Sequence, residues 1–146
     1  MSKSLCQNRK ARHDYQILDT VEAGIVLIGC EVKSLLDHKA SLDGSYAIVE
    51  DGEVWLVNSH IDEYKNKSTH VQHEPKRRRK LLLKKREIHK FAEQAKQKGH
   101  TLVPLSFYLN NGKVKVNLAV AKGKQLHDKR EALKKRDAER EMQNGK

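Results

Sequence analysis

The sequence has very few cysteines, and this scarcity excludes two common ways of stabilising a small fold. Its 146 residues include only Cys6 and Cys30, which lie far apart and outside any CxxC pattern. Neither a disulfide framework nor a zinc site is therefore expected, and both side chains are predicted to be reduced thiols. Uninterrupted apolar runs are also short, well below the roughly 20 residues of a membrane-spanning helix. Residues 1–6 lack the apolar stretch of a secretory signal, so the sequence predicts a cytoplasmic protein.

Signatures of catalysis are absent as well. Gly123-Lys124 lacks both the upstream glycine and the following Ser or Thr of a phosphate-binding loop, and neither GxSxG nor HExxH occurs. His70 and His73 have a metal-ligand spacing and precede Glu74, but a stable metal site needs three or four ligands. The adjacent acids Asp62-Glu63 are too few to hold the metal of a nuclease. No enzymatic activity, metal site or cofactor is therefore expected.

The charge balance indicates a polyanionic partner. Thirty Lys and Arg against 19 Asp and Glu give a net charge of +11, with His taken as neutral. Such a surplus most often serves binding to nucleic acid; the alternative is a charge that only keeps the protein soluble. Eight of the eleven residues in 76–86 are basic and none is acidic. If this run is helical, nearby phosphates would offset the repulsion between its like charges.

Aromatic residues make up only 5% of the chain. Proteins that read single-stranded nucleic acid stack bases on aromatic side chains. Here most aromatic residues fall in predicted strands or helices, at positions typical of a core. The sequence therefore favours a protein that binds folded RNA through its shape and phosphates over one that reads base sequence.

Two hairpins and one buried strand dominate the centre of the sequence. The first hairpin is predicted over 45–58, where strand-like runs flank Glu50-Asp51-Gly52-Glu53 and Asp-Gly suits a type I′ turn. The second is predicted over 102–121, around Asn110-Asn111-Gly112. Residues 23–32 are rich in β-branched side chains and predict a strand buried on both faces.

The remaining segments complete a predicted single domain with basic ends. Residues 1–12 have little to bury and predict a flexible basic arm. A short helix is predicted over 33–38 and a long helix over 76–98. Nine basic and five acidic residues give 122–146 a charge of +4 and few large apolar side chains, which predicts a tail disordered in isolation. Residues 13–121 are predicted to form a mainly β fold, a small closed antiparallel barrel of the oligonucleotide-binding type with about three flanking helices.

Six short motifs follow one another along residues 8–136. They are Asn8-Arg9-Lys10-Ala11, Glu22-Ala23-Gly24-Ile25, Gly29-Cys30-Glu31-Val32-Lys33-Ser34-Leu35, Ser68-Thr69-His70, Arg79-Lys80-Leu81-Leu82-Leu83 and Ala121-Lys122-Gly123-Lys124 followed by His127-Asp128-Lys129-Arg130. In this order they resemble the motifs of the small protein B (SmpB) family, the tmRNA-binding (SsrA RNA-binding) proteins of bacterial trans-translation. Their combination is highly specific, above all the segments EVKSL and GK-x-x-HDKR. The family usually continues EVKSL with Arg, where this chain has Leu36, so one cation is missing there.

The resemblance implies a closed oligonucleotide-binding barrel with three helices. It also implies that the protein binds the tRNA-like domain of tmRNA and brings alanyl-tmRNA, with elongation factor Tu, to ribosomes stalled without a complete codon. The basic tail would occupy the empty decoding site and the mRNA channel. A general ribosome-associated basic RNA-binding protein is the alternative. The tail motif favours the tmRNA-binding protein over this alternative.

Individual site residues also follow from the resemblance, position by position. Contacts with tmRNA are implied at two groups of positions, one in the barrel and one at its start. They are Glu22, Leu82, Lys115 and Lys84 (where some family members have Asn), together with Asn8, Lys10 and His13. Ribosome contacts are implied in the tail at Gly123, Lys124, His127, Asp128, Lys129 and Arg130.

Overall fold

The computed structural model describes residues 2–64 and 73–123, and this part of the chain is mainly β with three helices. The helices are α1 (Arg9–Asp14), α2 (Gly29–Leu36) and α3 (Lys85–Ala95). The strands are β1 (Ser2–Gln7), β2 (Tyr15–Ile25), β3 (Ala40–Ser41), β4 (Tyr46–Glu50), β5 (Glu53–Val57), β6 (His60–Ile61), β7 (Arg79–Leu82), β8 (His100–Asn110) and β9 (Lys113–Gly123). The predicted fold class, mainly β with about three helices, is confirmed.

Seven of the described strands form one antiparallel sheet whose pairings return on themselves. The strand order is β1-β8-β4-β5-β7-β2-β9, and β9 also pairs with β8. Strands β8, β4, β5, β7, β2 and β9 therefore form a ring of strand pairings, to which β1 is added beside β8. The junction of β4 with β8 consists of one pair, Ala47 with Leu102. Strands β3 and β6 form a separate two-stranded ribbon.

Both predicted hairpins are confirmed, β4 with β5 and β8 with β9. Their turns have positive φ at two consecutive residues, 53° and 75° at Asp51 and Gly52, and 52° and 75° at Asn111 and Gly112. This is the type I′ geometry, whose twist matches that of the flanking strands. The Asp-Gly and Asn-Gly pairs therefore set the register of the β4–β5 and β8–β9 pairings.

The strands have an inner and an outer face with different coverage. The inner face buries one large apolar cluster that includes Leu35 of α2 and Phe91 of α3, together with Leu56, Leu81, Leu102, Phe107, Val116, Leu118 and Val120 of the strands. The outer face of β2, β8 and β9 is covered at one end only, where Ala11 of α1 packs in a small cluster with Val103, Leu105, Ala119 and Ala121. The other end of this outer face has no helix packed on it among the described residues.

The start of the chain differs from the predicted flexible arm. Ser2–Gln7 form β1, which pairs with β8, and α1 follows directly. Leu5 supplies the buried apolar group that the composition did not reveal, with 4% of its surface exposed. At the other end, β9 continues to Gly123, two residues beyond the predicted end of the domain at 121.

Two further predictions were wrong in their boundaries. The strand expected over 23–32 ends at Ile25, and α2 begins at Gly29, earlier than the helix expected over 33–38. The helix expected over 76–98 is a strand, β7, followed by the shorter α3. Both segments contribute a residue to a buried ion pair, Glu31 of α2 and Arg79 of β7, which periodicity does not show.

No helix within the described ranges, 2–64 and 73–123, is long and apolar enough to cross a membrane.

Candidate nucleic-acid interface

The strand register gathers three of the predicted RNA contacts on the uncovered end of the outer face. Gly24 of β2 pairs with Leu82 of β7 on one side and with Lys115 of β9 on the other. Directly paired residues in antiparallel strands have their side chains on the same face. Glu22 precedes Gly24 by two residues and therefore lies on this face too. Three positions that are far apart in sequence thus become neighbours.

Glu22 is exposed, yet one of its carboxylate oxygens is held in place. Tyr108 donates its hydroxyl to Oε2 at 2.6 Å, and Asn110 donates Nδ2 to the same oxygen at 3.3 Å. The Tyr108 bond is the main cause that lowers the pKa of Glu22; Asn110 and the charge of Lys115 lower it further, against a smaller effect of desolvation. Burial and the bond to Glu22 raise the pKa of Tyr108. At neutral pH the pair is therefore a carboxylate and a phenol.

A polar groove of about 520 Å³ opens beside this carboxylate. Its volume lies in the range of about 300–1,000 Å³ that is typical of small-ligand sites. It is lined by Ser4, Gln7, Glu22, Ser106, Tyr108, Asn110 and Asn117. Apart from Glu22 these are hydroxyl and amide side chains, which donate and accept hydrogen bonds without carrying charge at neutral pH. The groove therefore suits a ligand with several polar groups, such as a base and its ribose.

Leu82 adds an apolar surface next to this groove. Its side chain is 49% exposed, although it is large and aliphatic. A Cβ built on Gly24 would lie 3.1 Å from the Cβ of Leu82, closer than side chains normally approach. Glycine at position 24 therefore leaves the space in which Leu82 lies against the neighbouring strand.

The three predicted RNA contacts near the start of the chain, Asn8, Lys10 and His13, differ in how exposed they are. Asn8 is 2% exposed, and its side chain caps α1 by accepting from the Ala11 amide at 3.1 Å. It also donates to the carbonyls of Pro104 at 2.8 Å and of Leu42 at 3.3 Å. These three bonds lie within the protein, where they cap α1 and tie it to β8 and to the segment that holds Leu42.

Lys10 and His13, in contrast, are exposed on α1. Lys10 lines a second groove of about 300 Å³ at the covered end of the outer face, together with Tyr15 and Tyr46. His13 lies beside Asp14, with Nδ1 at 3.1 Å from the carboxylate. Both candidates are therefore accessible, but they lie on the helix and not on the strands that carry Glu22.

Four of the eight charges in the basic run 76–86 are paired within the protein, and the other four, on Lys76, Lys84, Lys85 and Arg86, are exposed. Arg78 contacts Glu50 at 2.8 Å and lies over the ring of Trp55, and Lys80 contacts Glu53 at 3.1 Å. The two remaining pairs converge on one buried carboxylate, described next.

Glu31 of α2 binds two arginines of this run. Arg79 is fully buried and donates Nε to Glu31 at 2.6 Å, while its other nitrogens reach the hydroxyl and carbonyl of Ser59 and the carbonyl of Pro75, all at 3.0 Å. Arg77 donates Nη2 to Glu31 at 2.6 Å. Burial alone would raise the pKa of Glu31, but the bonds from Arg77, the Ile28 amide and Arg79 outweigh it and lower the pKa. This ion-pair cluster ties α2 to β7.

Lys84 and the tail complete the predicted set. Lys84 is exposed just before α3, and its backbone amide donates to Glu87 Oε1 at 3.0 Å. Gly123 is the last residue of β9 and pairs with Tyr15. Lys124, His127, Asp128, Lys129 and Arg130 lie outside the described residues.

The histidine pair considered for metal binding is only half described. His70 lies outside the described residues, and His73 is buried, with Nδ1 at 3.0 Å from the Cys30 sulfur and Nε2 at 2.7 Å from the Ile61 carbonyl. Within residues 2–64 and 73–123, no group of three or more His, Cys, Asp or Glu side chains could hold a metal ion.

The chain is a small, strongly basic β protein. One strand face presents a polar groove, a held carboxylate and an exposed leucine. These features place it in the class of nucleic-acid-binding proteins. Residues 5–146 match the SmpB protein family, and the chain belongs to that family. It is 52% identical over 141 residues to the SsrA-binding protein of Nostoc sp. (strain PCC 7120), covering 97% of this chain and 91% of that protein.

A second relative is also named an SsrA-binding protein, and a solved structure has a similar fold. The SsrA-binding protein of Mycobacterium sp. (strain KMS) is 56% identical over 138 residues, covering 94% of this chain and 82% of that protein. A solved structure described as "tmRNA-SmpB: a journey to the center of the bacterial ribosome" is 49% identical with a TM-score of 0.69. It covers 82% of this chain and 83% of that one.

Proposed function

We propose that this protein binds the tRNA-like domain of tmRNA and delivers it to stalled ribosomes in trans-translation. The observation that carries the proposal is the convergence of Glu22, Leu82 and Lys115 on one uncovered strand face, in a chain of the SmpB family. These positions offer an acceptor, an apolar surface and a cation, the three kinds of group that contact bases, sugars and phosphates in folded RNA. The role is binding and not catalysis.

The ring of strand pairings supports a closed antiparallel barrel of the oligonucleotide-binding type. Such a barrel would hold Glu22, Leu82 and Lys115 in a fixed geometry, because β2, β7 and β9 are each paired on both edges. A rigid surface suits recognition of an RNA shape more than reading of a flexible strand.

The tail is proposed to act on the ribosome. Residues 122–146 carry a charge of +4, which favours association with ribosomal RNA in the decoding site and mRNA channel. Elongation factor Tu would take part indirectly, through the aminoacylated tmRNA. A ribosomal partner also accords with a cytoplasmic location.

Binding of the purified full-length protein to the tRNA-like domain, compared with an elongator tRNA over a salt series, tests the first step. A preference for the tRNA-like domain that persists as salt rises supports the proposal. Equal affinities that fall together would indicate phosphate neutralisation alone, as expected of a general ribosome-associated basic RNA-binding protein.

Charge reversal in the tail tests the second step. Exchanging Lys124, Lys129 and Arg130 for Glu should leave the affinity for tmRNA unchanged and abolish tagging of stalled chains in a reconstituted translation system. Equal losses of binding and rescue would instead make the tail part of the tmRNA site.

A further inference from the structure

A third groove, the seam groove, has a volume of about 440 Å³ and lies between α3 and the junction of β4 with β8. It is lined by Ala47, Ile48 and Val49 of β4, by Ala92, Ala95 and Lys96 at the end of α3, and by His100, Thr101 and Leu102 of β8. The junction consists of one pair, Ala47 with Leu102, so the two strands diverge beyond it. Most of the lining residues are aliphatic. The seam groove therefore suits an apolar side chain.

The described part of the chain ends close to this groove. Lys122 of β9 pairs with His100 of β8, which is itself a lining residue. The Lys122 side chain lies 4.0 Å from the position of a Cβ built on Gly99. Gly123 is the last residue of β9. Because neighbouring strands are about 5 Å apart, the far side of β8, where the groove opens, is about 10 Å from the end of β9.

The segment that follows Gly123 carries a suitable side chain at a suitable distance. Leu126, three residues further on, is the first large apolar residue after β9. Three extended residues span about 10 Å, and the leucine side chain adds further reach. Residues 127–146 contain only two other large apolar residues, Leu133 and Met142. Leu126 is therefore the nearest side chain of this segment that gains from removal from water.

We propose that the seam groove is a docking site for the C-terminal segment of the same chain, with Leu126 as the side chain that enters it. Lys96 and His100 line the groove, and Asp128, two residues after Leu126, offers them a partner of opposite charge. Burial of one leucine is nearly balanced by the ordering of three residues. The docked segment is therefore held weakly, and a partner that binds residues 124–146 would release it.

Solution NMR of the full-length protein, with 13C-labelled alanine and leucine methyl groups, tests the docking directly. We expect nuclear Overhauser contacts between the Leu126 methyl groups and those of Ala92 and Ala95. The Ala92 and Ala95 signals should shift in Leu126→Ser. The control is Leu133→Ser, the same change seven residues further along the chain, which should leave these signals in place. Signals that are the same in Leu126→Ser as in the wild type would overturn the proposal, as would equal shifts in both variants.

A substitution in the groove gives a second readout. Ala95→Lys places a charge among the apolar lining residues, whereas Gln97→Lys adds the same charge at an exposed position two residues on. Limited trypsin digestion, followed by mass spectrometry, reports the rate of cleavage after Lys124, which tracks the undocked population. We expect cleavage to be several-fold faster in Ala95→Lys and Leu126→Ser, and unchanged in Gln97→Lys. Equal rates in all of these proteins would overturn the proposal. Thermal unfolding shows whether each variant is folded.

A mixed sample distinguishes docking within one chain from docking between two copies. Labelled and unlabelled proteins are combined, and contacts between them are selected by isotope filtering. Contacts of Leu126 that appear between labelled and unlabelled molecules would assign the groove to a second copy and overturn the proposal. The inference goes beyond the proposed function and does not depend on it. Because these experiments contain no RNA, their failure leaves the proposed function to its own test over the salt series.

Discussion

Substitution of Glu31 by Gln is expected to lower the free energy of unfolding strongly, although it changes only one end group of the side chain. Glu31→Gln keeps the size and one acceptor oxygen of the side chain but removes the charge that faces two arginines. Arg79 would then be a fully buried guanidinium without a counter-ion, because its remaining partners are the neutral groups of Ser59 and Pro75. Arg77 is partly exposed and can turn toward solvent.

The expected loss of stability follows from the burial of this pair. Removing one partner of a buried ion pair typically costs about 3–5 kcal/mol, since the other charge stays desolvated. For a domain of this size that corresponds to a fall of about 10 °C or more in Tm. Glu50→Gln is the matched control, because its pair with Arg78 is about half exposed on both sides. Exposed pairs contribute about 0–1 kcal/mol.

Urea denaturation at pH 7 measures both variants, followed by circular dichroism and by the fluorescence of Trp55, the only tryptophan in the chain. A loss in Glu31→Gln no larger than that in Glu50→Gln would refute the reasoning. The pH dependence supplies an independent check. The folded-state pKa of Glu31 lies below its ordinary value of 4.5, so its contribution is complete above that pH and is lost as the pH falls through the folded-state pKa. The difference between wild type and Glu31→Gln should therefore shrink on acidification; a constant difference down to pH 3 would contradict the assignment.

Three further substitutions test other contacts. Asn8→Ala should lower the free energy of unfolding by about 1–2 kcal/mol in urea titrations, because it removes the cap of α1 and the buried bond to the Pro104 carbonyl; an unchanged stability would contradict its structural role. Gly24→Ala should displace Leu82 and lower RNA affinity several-fold in a filter-binding assay, with a small change in Tm; unchanged affinity would show that the position of Leu82 does not matter. Lys115→Ala should reduce the slope of log Kd against log salt concentration by about 1, whereas Lys80→Ala, at a lysine already paired with Glu53, should leave the slope unchanged.

The parts of the fold that local signals determine were predictable from sequence. The two hairpins follow from Asp-Gly and Asn-Gly turns between alternating strands. The helical prediction over 76–98 is confirmed for α3 and wrong for β7, because the apolar residues 81–83 and the flanking charges satisfy helical spacing equally well. The alternation of buried and exposed residues in β7 is apparent only if Arg79 is counted as buried. Arginine is rarely buried in proteins, so the sequence alone does not suggest this.

The candidate site was predictable in part, and for a different reason. Glu22, Leu82 and Lys115 followed from the family resemblance, but their convergence depends on β7 and β9 both pairing with β2 at Gly24. Tyr108 and Asn110 were missed as site residues, because the strand position of Tyr108 resembles that of a core residue. The available signal was the alternation along β8, which places Ser106, Tyr108 and Asn110 on one face.

The buried ion pair and the outer-face site are connected through the short strand β7. Three consecutive leucines, 81–83, leave the phase of this strand undetermined by hydrophobicity, and a slip by one residue would exchange its two faces. Arg79 removes the ambiguity, because its guanidinium reaches Glu31 only when residues 79 and 81 point inward. Leu82 must then point outward, beside Gly24. A charge buried on one face of the strand therefore determines which leucine is exposed on the other.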